Sequence, residues 1–360
     1  MNDIFDYINK YGSKTFYEKE PNDVDALILC QLSYLPFDDV VTRSLRSPTT
    51  VARAAYGFFE IGDFSRIIWK KTDARLLAAC AESKRFKDLR LSGYVNELDD
   101  DEAKQFSAII FKLKKRLRFL AFRGTDHSFA GWEEDFNLYS RPTLPSQKRA
   151  AEYLGKAARL LRSDFIIGGH SKGGNLAMYA YENIAPELRS RIKAVYNFDG
   201  PSLNKEPESD KIRKFVPQSA IFGTMLSKGE DYSIVKCKNG KFNQHDVTSW
   251  LVDGDDFDCV FKRSQISRRA ENALSDFVND LDADERRDFI DTLFGVFRDT
   301  GKQDFDEVMK KPTAVARSFI KQDKANRRVL RKAFGKVMKS AGKNIFKVKK
   351  KTKKIKKQTR

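Results

Sequence analysis

The sequence is poor in cysteine and histidine, from which zinc sites and disulfide frameworks are built. Its 360 residues include four cysteines and three histidines, and the cysteines are dispersed without a C-x-x-C pair. Such spacing argues against a zinc site and favours a reducing compartment over a secreted, disulfide-stapled fold. We expect no metal, and the sequence indicates no organic cofactor.

Long hydrophobic runs are missing as well. No run of about 18 apolar residues is available to cross a bilayer. The first eleven residues mix acids with apolar residues, which is not the pattern of a signal peptide. The expectation is a cytoplasmic protein, with peripheral attachment to the inner face of the membrane left open.

Acidic residues are almost absent from the C-terminal end. Residues 310–360 hold 21 lysines and arginines against the single acid Asp323, a net charge of +20 that leaves −2 for residues 1–309. An apolar stripe with helical spacing follows, made of Leu330, Phe334, Val337, Met338, Ala341, Ile345 and Val348. The pattern predicts a basic amphipathic helix and then a disordered tail within 311–360.

This basic segment has three interpretations. An anionic membrane would attract each lysine with about 1 kcal/mol, and the apolar stripe would add insertion energy. A nucleic acid is a weaker candidate, because Phe334 and Phe346 are the only aromatics interleaved from Leu330 onward. The third interpretation is a solvated tail without a partner.

The most informative motif is a Gly-x-Ser-x-Gly sequence. Gly169, Ser171 and Gly173 follow the apolar run 165–167, and residues at helical spacing follow them, namely Leu176, Ala177, Ala180, Tyr181 and Ile184. This strand, turn and helix order is that of a nucleophile elbow, in which the glycines let neighbouring backbone approach a strained serine. Ser171 is therefore the candidate nucleophile.

The flanking patterns predict the fold around this elbow. Apolar runs over 108–113, 117–122 and 193–198 indicate strands, and 146–161 indicates a crossover helix. We expect an α/β-hydrolase fold over residues 1–262, with a mostly parallel sheet flanked by helices. A helical extension follows over 263–310, and the basic segment completes the chain. Residues 36–106 show mixed patterns that support no assignment.

A serine needs a base to take its proton, and the chain offers three histidines. His170 is the sequence neighbour of Ser171, so its side chain should point away and pack. His127 lies too far upstream for the order Ser, Asp or Glu, then His. His245 lies downstream of a predicted strand at 232–237 and is the candidate base.

The base must itself be oriented by an acid at the end of a strand. Asp199 ends the strand predicted at 193–198 and precedes Gly200 and Pro201, which makes it the first choice. Asp231 and Asp246 remain alternatives. An oxyanion hole is also needed, and its donors are predicted as the backbone N–H of Lys172 and, after strand 117–122, the N–H and hydroxyl of Thr125.

These motifs resemble a known family. The order Phe122-Arg123-Gly124-Thr125, then Trp132 to Phe136, then the elbow is similar to the class 3 lipases. It is closer still to bacterial lipase-like proteins related to the mesenteric oestrogen-dependent adipogenesis domain, where 25–34 and Gln244-His245-Asp246 have counterparts. The resemblance implies an α/β-hydrolase fold and acyl-ester chemistry with Ser171, His245 and Thr125.

Two features depart from the class 3 pattern. Those lipases carry the acid one strand later than Asp199, yet residues 215–228 contain no aspartate. Lys172 also replaces the apolar residue that usually follows the serine, and this cation could favour an anionic acyl donor or pair with a nearby carboxylate.

The sequence thus predicts a serine esterase of the lipase or carboxylesterase type, acting on an ester or lipid through an acyl-enzyme. The alternative is an inactive α/β-hydrolase scaffold that binds a partner and is targeted by its basic segment, because a fold does not fix function.

Overall fold

The computed structural model describes residues 2–65, 67–203, 209–227, 232–238, 244–265, 267–268, 271–272, 280–302, 304–333 and 335–336. In this part of the chain, a nine-stranded sheet has the strand order β1 to β8 followed by β11. Its strands are β1 (Thr49–Thr50), β2 (Arg90–Asp99), β3 (Lys104–Lys114), β4 (Leu117–Phe122), β5 (Asp164–His170), β6 (Ile192–Phe198), β7 (Ile212–Pro217), β8 (Ser233–Val235) and β11 (Cys259–Val260).

Parallel pairing defines the centre of this sheet. Strands β4 to β8 are parallel to one another, whereas β1 to β4 pair antiparallel and β11 runs antiparallel to β8. A small hairpin of β9 (Val252–Asp253) and β10 (Asp256–Phe257) lies apart from it. The carboxyl ends of β5, β6 and β7 therefore meet at one edge, where ligands bind in open α/β sheets.

Helices cover both faces of the sheet. The helices of the described residues are α1 (Ile4–Tyr11), α2 (Asp23–Leu32), α3 (Val51–Ile61), α4 (Lys70–Glu82), α5 (Phe129–Asn137), α6 (Pro145–Leu161), α7 (Lys172–Asn183), α8 (Pro186–Arg189), α9 (Ala283–Arg298), α10 (Phe305–Met309) and α11 (Pro312–Lys321). Helices α1 to α4 contribute to one hydrophobic cluster, and α6 and α7 contribute to a second cluster on the other face.

Strand β3 shows why the central strands read as continuous apolar runs. Ile109 and Phe111 point into the first cluster, while Ala108 and Ile110 point into the second. Because successive side chains of a strand alternate between faces, a strand covered on both sides needs apolar residues at every position. The continuous apolar sequence of β3 is therefore typical of a strand that is buried on both faces of the sheet.

The strands and the crossover helix predicted around the elbow are present, and the α/β-hydrolase fold is confirmed. The hairpin of β3 and β4, the crossover helix α6 and strand β6 lie where the patterns placed them. The strand expected at 232–237 is shorter, because ladder pairing includes only Ser233–Val235. The unassigned region 36–106 forms β1, α3, α4, β2 and the start of β3. Of these, β1 has only two residues, and α3 and α4 are helices.

A third hydrophobic cluster joins the C-terminal helices to α5. Asp282 and Glu285 form the capping box that begins α9. The cluster contains Phe289, Phe294 and Phe297 of α9, together with Phe129 of α5. Leu330 and Ala333, which lie in helical residues 324–333, are also buried in it. Both C-terminal segments thus contribute to one cluster, and the domain division remains a prediction.

The start of the basic segment is engaged within the protein. Lys332 and Lys336 pair with Glu285 at 2.6 and 2.7 Å, and these bonds hold the pKa of that carboxyl low, at about 2. The rest of the predicted amphipathic stripe, from Val337, and Phe334 within it lie outside the described residues. Among the described helices, none is both long and apolar enough to span a bilayer.

Asp73 of α4 is a buried carboxyl with incomplete hydrogen bonding. Its Oδ1 accepts a bond of 2.7 Å from Gln31 Nε2, while its Oδ2 and Gln31 Oε1 have no partner among the described residues. Burial, aided by the charge of Asp246, raises the pKa of Asp73 from 3.8 to about 7. Protonation therefore stabilises this group in the folded state.

We predict that Asp73→Asn makes stability less dependent on pH. The folded state keeps the Asp73 proton up to about pH 7, whereas the unfolded chain releases it near pH 4, so wild-type stability falls as pH rises through that window. The variant should exceed wild type by up to about 4 kcal/mol at pH 8 and by less at pH 5. Urea denaturation at both pH values measures this, and an unchanged difference between them would contradict it.

Candidate active site

Ser171 lies on a strained turn between β5 and α7. Its φ of 57° and ψ of −134° are backbone angles that residues other than glycine rarely adopt. The turn is held by bonds of 2.9 Å from Ser171 N–H to Phe198 C=O and from Gly174 N–H to Ser171 C=O. The carboxyl end of β6 therefore fixes the serine, as the elbow motif predicts.

The two elbow glycines permit close backbone contacts. A Cβ at Gly169 would lie 2.2 Å from the carbonyl carbon of Gly173, and a Cβ at Gly173 would lie 2.1 Å from the carbonyl oxygen of Phe122. Such distances are far below van der Waals contact. Glycine is required at both positions so that β4, β5 and α7 can meet.

Asp199 and His245 form a pair beside this turn. His245 Nδ1 lies 2.7 Å from Asp199 Oδ2, and the Asp199 side chain is 1% exposed. Burial raises the pKa of Asp199, while the bond to His245 and the 3.0 Å bond from Gly223 N–H act in the opposite direction. The structure thus places the acid and the imidazole that were chosen from the sequence within hydrogen-bonding distance of each other.

The rival acids are placed differently. Asp246 caps the short 3-10 helix Val247–Ser249, where its Oδ1 accepts bonds from the N–H and the hydroxyl of Thr248. Asp231 lies outside the described residues. In the described part of the chain, Asp199 is therefore the carboxylate bonded to His245 Nδ1.

Two rings pack against the imidazole of His245. Its ring centroid lies 4.4 Å from that of His170 and 4.6 Å from that of Phe222. His170 is fully buried, and its Nδ1 lies 2.9 Å from the Tyr34 hydroxyl. Burial, with a contribution from His245, lowers the pKa of His170 well below its usual value. His170 is thus a neutral packing residue, as its position suggested.

The loop after β4 contacts the serine. A Cβ at Gly124 would lie 3.1 Å from Ser171 Cβ and 2.1 Å from the Tyr34 hydroxyl. The next residue, Thr125, donates its hydroxyl to Asp135 Oδ2 over 2.5 Å, and burial raises the pKa of Asp135 to about 6. The Thr125 hydroxyl is thus committed to α5, which leaves its backbone N–H as the group available to a ligand.

Lys172 forms a buried ion pair that reaches across the site. Its Nζ lies 2.8 Å from Glu134 Oε2 and 2.9 Å from the Gln105 carbonyl, and both charged side chains are fully buried. Glu134 also accepts bonds from the N–H groups of Gln105 and Ser146. Of the two expectations for this cation, the structure shows pairing with a carboxylate.

Several residues of this site were not assigned by sequence reasoning. Glu134 and Asp135 stand in the segment that carried the family resemblance, but their spacing alone does not reveal which strand or loop each one contacts. Gly223 was missed because nothing in its local sequence shows that a Cβ there would lie 2.4 Å from Asp199 Oδ1. Among the described residues, no group of three or more His, Cys, Asp or Glu could hold a metal ion.

The sheet topology and the Ser171 turn between β5 and α7 define an α/β-hydrolase fold. A model of the Mbeg1-like family matches residues 80–295, which is more than half of the chain. The chain therefore belongs to the Mbeg1-like family. A search of curated proteins finds no match.

Three similar solved structures are lipases. Lipase II from Rhizopus niveus is 16% identical, with a TM-score of 0.28 over 46% of this chain and 72% of that chain. M37 lipase is 14% identical, with a TM-score of 0.32 over 55% and 67%. Extracellular lipase LipA from Serratia marcescens is 12% identical, with a TM-score of 0.33 over 58% and 43%. Overlaps of this extent carry no information about activity or substrate.

We predict strong coupling between Lys172 and Glu134 in a double-mutant cycle. Lys172→Met or Glu134→Leu alone leaves an uncompensated buried charge and should cost about 3–5 kcal/mol of unfolding free energy. The double variant should cost much less than the sum, and urea denaturation measures each value. The exposed pair Lys84 and Glu18, at 3.1 Å, is the matched control and should couple by less than about 1 kcal/mol. Additive costs at the buried pair would contradict the prediction.

Proposed function

We propose that this protein is a serine hydrolase of the lipase or carboxylesterase type, with Ser171 as nucleophile, His245 as general base and Asp199 as the orienting acid. The observation that carries the proposal is the 2.7 Å contact between His245 Nδ1 and the buried Asp199. Both chain neighbours of Asp199 lie close to the serine, since the Phe198 carbonyl accepts the Ser171 N–H and a Cβ at Gly200 would lie 2.2 Å from the Ser171 carbonyl oxygen. These contacts support the joint action of an acid, an imidazole and a strained serine near the carboxyl ends of β5 and β6.

The arrangement suits acyl transfer. With Nδ1 bonded to Asp199, His245 Nε2 is the nitrogen that takes the Ser171 proton as Oγ attacks the ester carbonyl. The backbone N–H groups of Thr125 and Lys172 donate to the oxyanion. The tetrahedral intermediate collapses, and His245 passes its proton to the departing alcohol. Water then attacks the acyl-enzyme by the same proton transfers, which releases the acid and restores Ser171.

The groups around His245 do not oppose the positive charge that forms on its imidazole during attack. His170 is neutral because burial depresses its pKa, so it does not oppose the charge that forms on His245. The Lys172 charge is balanced by Glu134, which leaves Asp199 as the bonded counter-charge of the imidazole.

We predict that a fluorophosphonate probe labels wild-type protein at Ser171. Ser171→Ala should abolish labelling, and Asp199→Asn should slow it by on the order of ten-thousand-fold, because the imidazole loses its correct tautomer. Labelling followed by mass spectrometry measures both. Undiminished labelling of Ser171→Ala would remove that residue from the mechanism. Absence of labelling in folded wild type would favour the alternative, an inactive scaffold that binds a partner.

Two glycine variants test the proposed role of Asp199 without replacing Asp199 itself. Gly223→Ala should displace the Asp199 carboxylate, because the new Cβ would lie 2.4 Å from Oδ1 and 2.7 Å from Val216 Cγ1. Labelling should fall roughly a hundredfold, as expected for a misplacement of about 1 Å. Gly295→Ala in α9 is the matched control, since nothing lies within 4 Å of a Cβ there. Equal labelling of the two variants would refute the role of Asp199.

We also propose that the basic segment attaches the protein to an anionic membrane. Residues 337–360 carry 11 lysines and arginines and no acid. Leu330, Ala333, Lys332 and Lys336 are already used within the protein, so the attachment rests on the residues after them. Charge complementarity supports lipid, and a nucleic acid is the less favoured partner because aromatics are few.

We predict that deletion of residues 337–360 abolishes binding to phosphatidylglycerol-containing vesicles while leaving fluorophosphonate labelling unchanged. Each lysine near the surface contributes about 1 kcal/mol, so glutamine at positions 349–351, 353 and 354 should weaken binding strongly. Sedimentation with anionic and neutral vesicles measures this. Retained binding by the truncated chain, or tighter binding to duplex DNA than to vesicles, would contradict the proposal.

A further inference from the structure

Helix α5 follows the Thr125 loop and has two differently used faces. On one face, Asp135 accepts the Thr125 hydroxyl and Glu134 pairs with Lys172. Thr125 and Lys172 supply the two oxyanion donors of the proposed function. The position of α5 therefore determines where both donor residues are held.

The opposite face of α5 is covered by the C-terminal helices. Trp132 stacks on Phe305 with ring centroids 4.6 Å apart and 21° between planes. Phe136 meets Phe294 edge-on at 5.6 Å, and Phe129 is buried in the same cluster. Helical spacing of three and four residues brings these side chains onto one stripe. Without the C-terminal helices, this aromatic stripe would face water.

Two polar contacts also fix the orientation of the C-terminal helices α9 and α10 relative to α5 and the Thr125 loop. Phe305 N–H donates to the backbone carbonyl of His127 over 3.0 Å, which ties the beginning of α10 to the Thr125 loop itself. Arg298, at the end of α9, forms an ion pair with Glu133 of α5. Hydrogen bonds and ion pairs fix orientation, whereas apolar packing alone tolerates sliding. The loop and its helix are thus clamped from the C-terminal side.

We propose that the C-terminal helices are a positioning element of the oxyanion site, acting through Phe305 and Arg298 on α5 and the Thr125 loop. The inference rests on the proposed function and extends it to Arg298 and Phe305, which lie 127 and 134 positions after Ser171 along the chain. Phe305 and Arg298 do not touch the reacting atoms. They hold the segment that donates to the oxyanion, so their loss should lower the rate of acylation rather than substrate binding.

The test compares phenylalanines of one cluster. Phe305→Ala should slow fluorophosphonate labelling of Ser171 at least about tenfold, because removal of one oxyanion donor costs on the order of a hundredfold. Phe319→Ala is the matched control: Phe319 belongs to the same cluster but lies on α11, which packs on α9 and α10. With p-nitrophenyl butyrate as substrate, kcat should fall in Phe305→Ala with KM nearly unchanged. Phe305→Tyr should restore the rate.

A second pair and a second readout separate positioning from stability. Arg298→Gln should slow labelling, whereas Arg287→Gln should not, since Arg287 of α9 pairs locally with exposed Asp284. Hydrogen exchange should quicken over residues 123–137 in Phe305→Ala and stay unchanged over β5 and α7. Labelling of Phe305→Ala equal to that of Phe319→Ala, or unchanged exchange over 123–137, would overturn the inference while leaving the proposed function intact. Failure of the proposed function would appear already in wild type, as absence of labelling at Ser171.

Discussion

The buried ion pair of Lys172 and Glu134 is the contact on which the geometry of the site depends. It joins the first residue of α7, directly after Ser171, to the helix that follows the Thr125 loop. A buried pair of charges contributes little net stability against an apolar replacement, but breaking it leaves a charge without solvent or partner. The pair therefore acts mainly as a constraint on position. Every bond that Glu134 makes, to Lys172, Gln105 and Ser146, excludes alternative placements of α5.

Three hydrophobic clusters support different parts of the site around this ion pair. The two clusters on the faces of the sheet support the ends of β4, β5 and β6, which bring Gly124, Ser171 and Asp199 to one edge. The third cluster supports α5 from outside. Polar groups at the site are thus enclosed by apolar packing, which lowers the local dielectric and strengthens their interactions.

The sequence predicted those features that local pattern controls. Alternation and apolar runs located β3, β4, β5 and β6, because a strand covered on both faces must be apolar throughout. The elbow glycines and Asp199 could be singled out because the residues that form a turn are adjacent in the sequence. Glu134, Asp135 and Gly223 were not assigned roles, since their contacts join residues 10 to 38 positions apart. Such contacts depend on how helices are packed, and no periodicity in one chain encodes them.

The backbone of Ser171 has a consequence for how this chain changes over time. A side chain held at φ 57° and ψ −134° costs the folded state about 1–3 kcal/mol relative to a relaxed backbone, and glycine would adopt the same angles with little strain. Stability alone is therefore biased towards glycine at this position, and that replacement would remove the hydroxyl. A serine is retained against that bias only while its hydroxyl is needed, so the occupant of this position across descendants of the chain is a record of selection on chemistry.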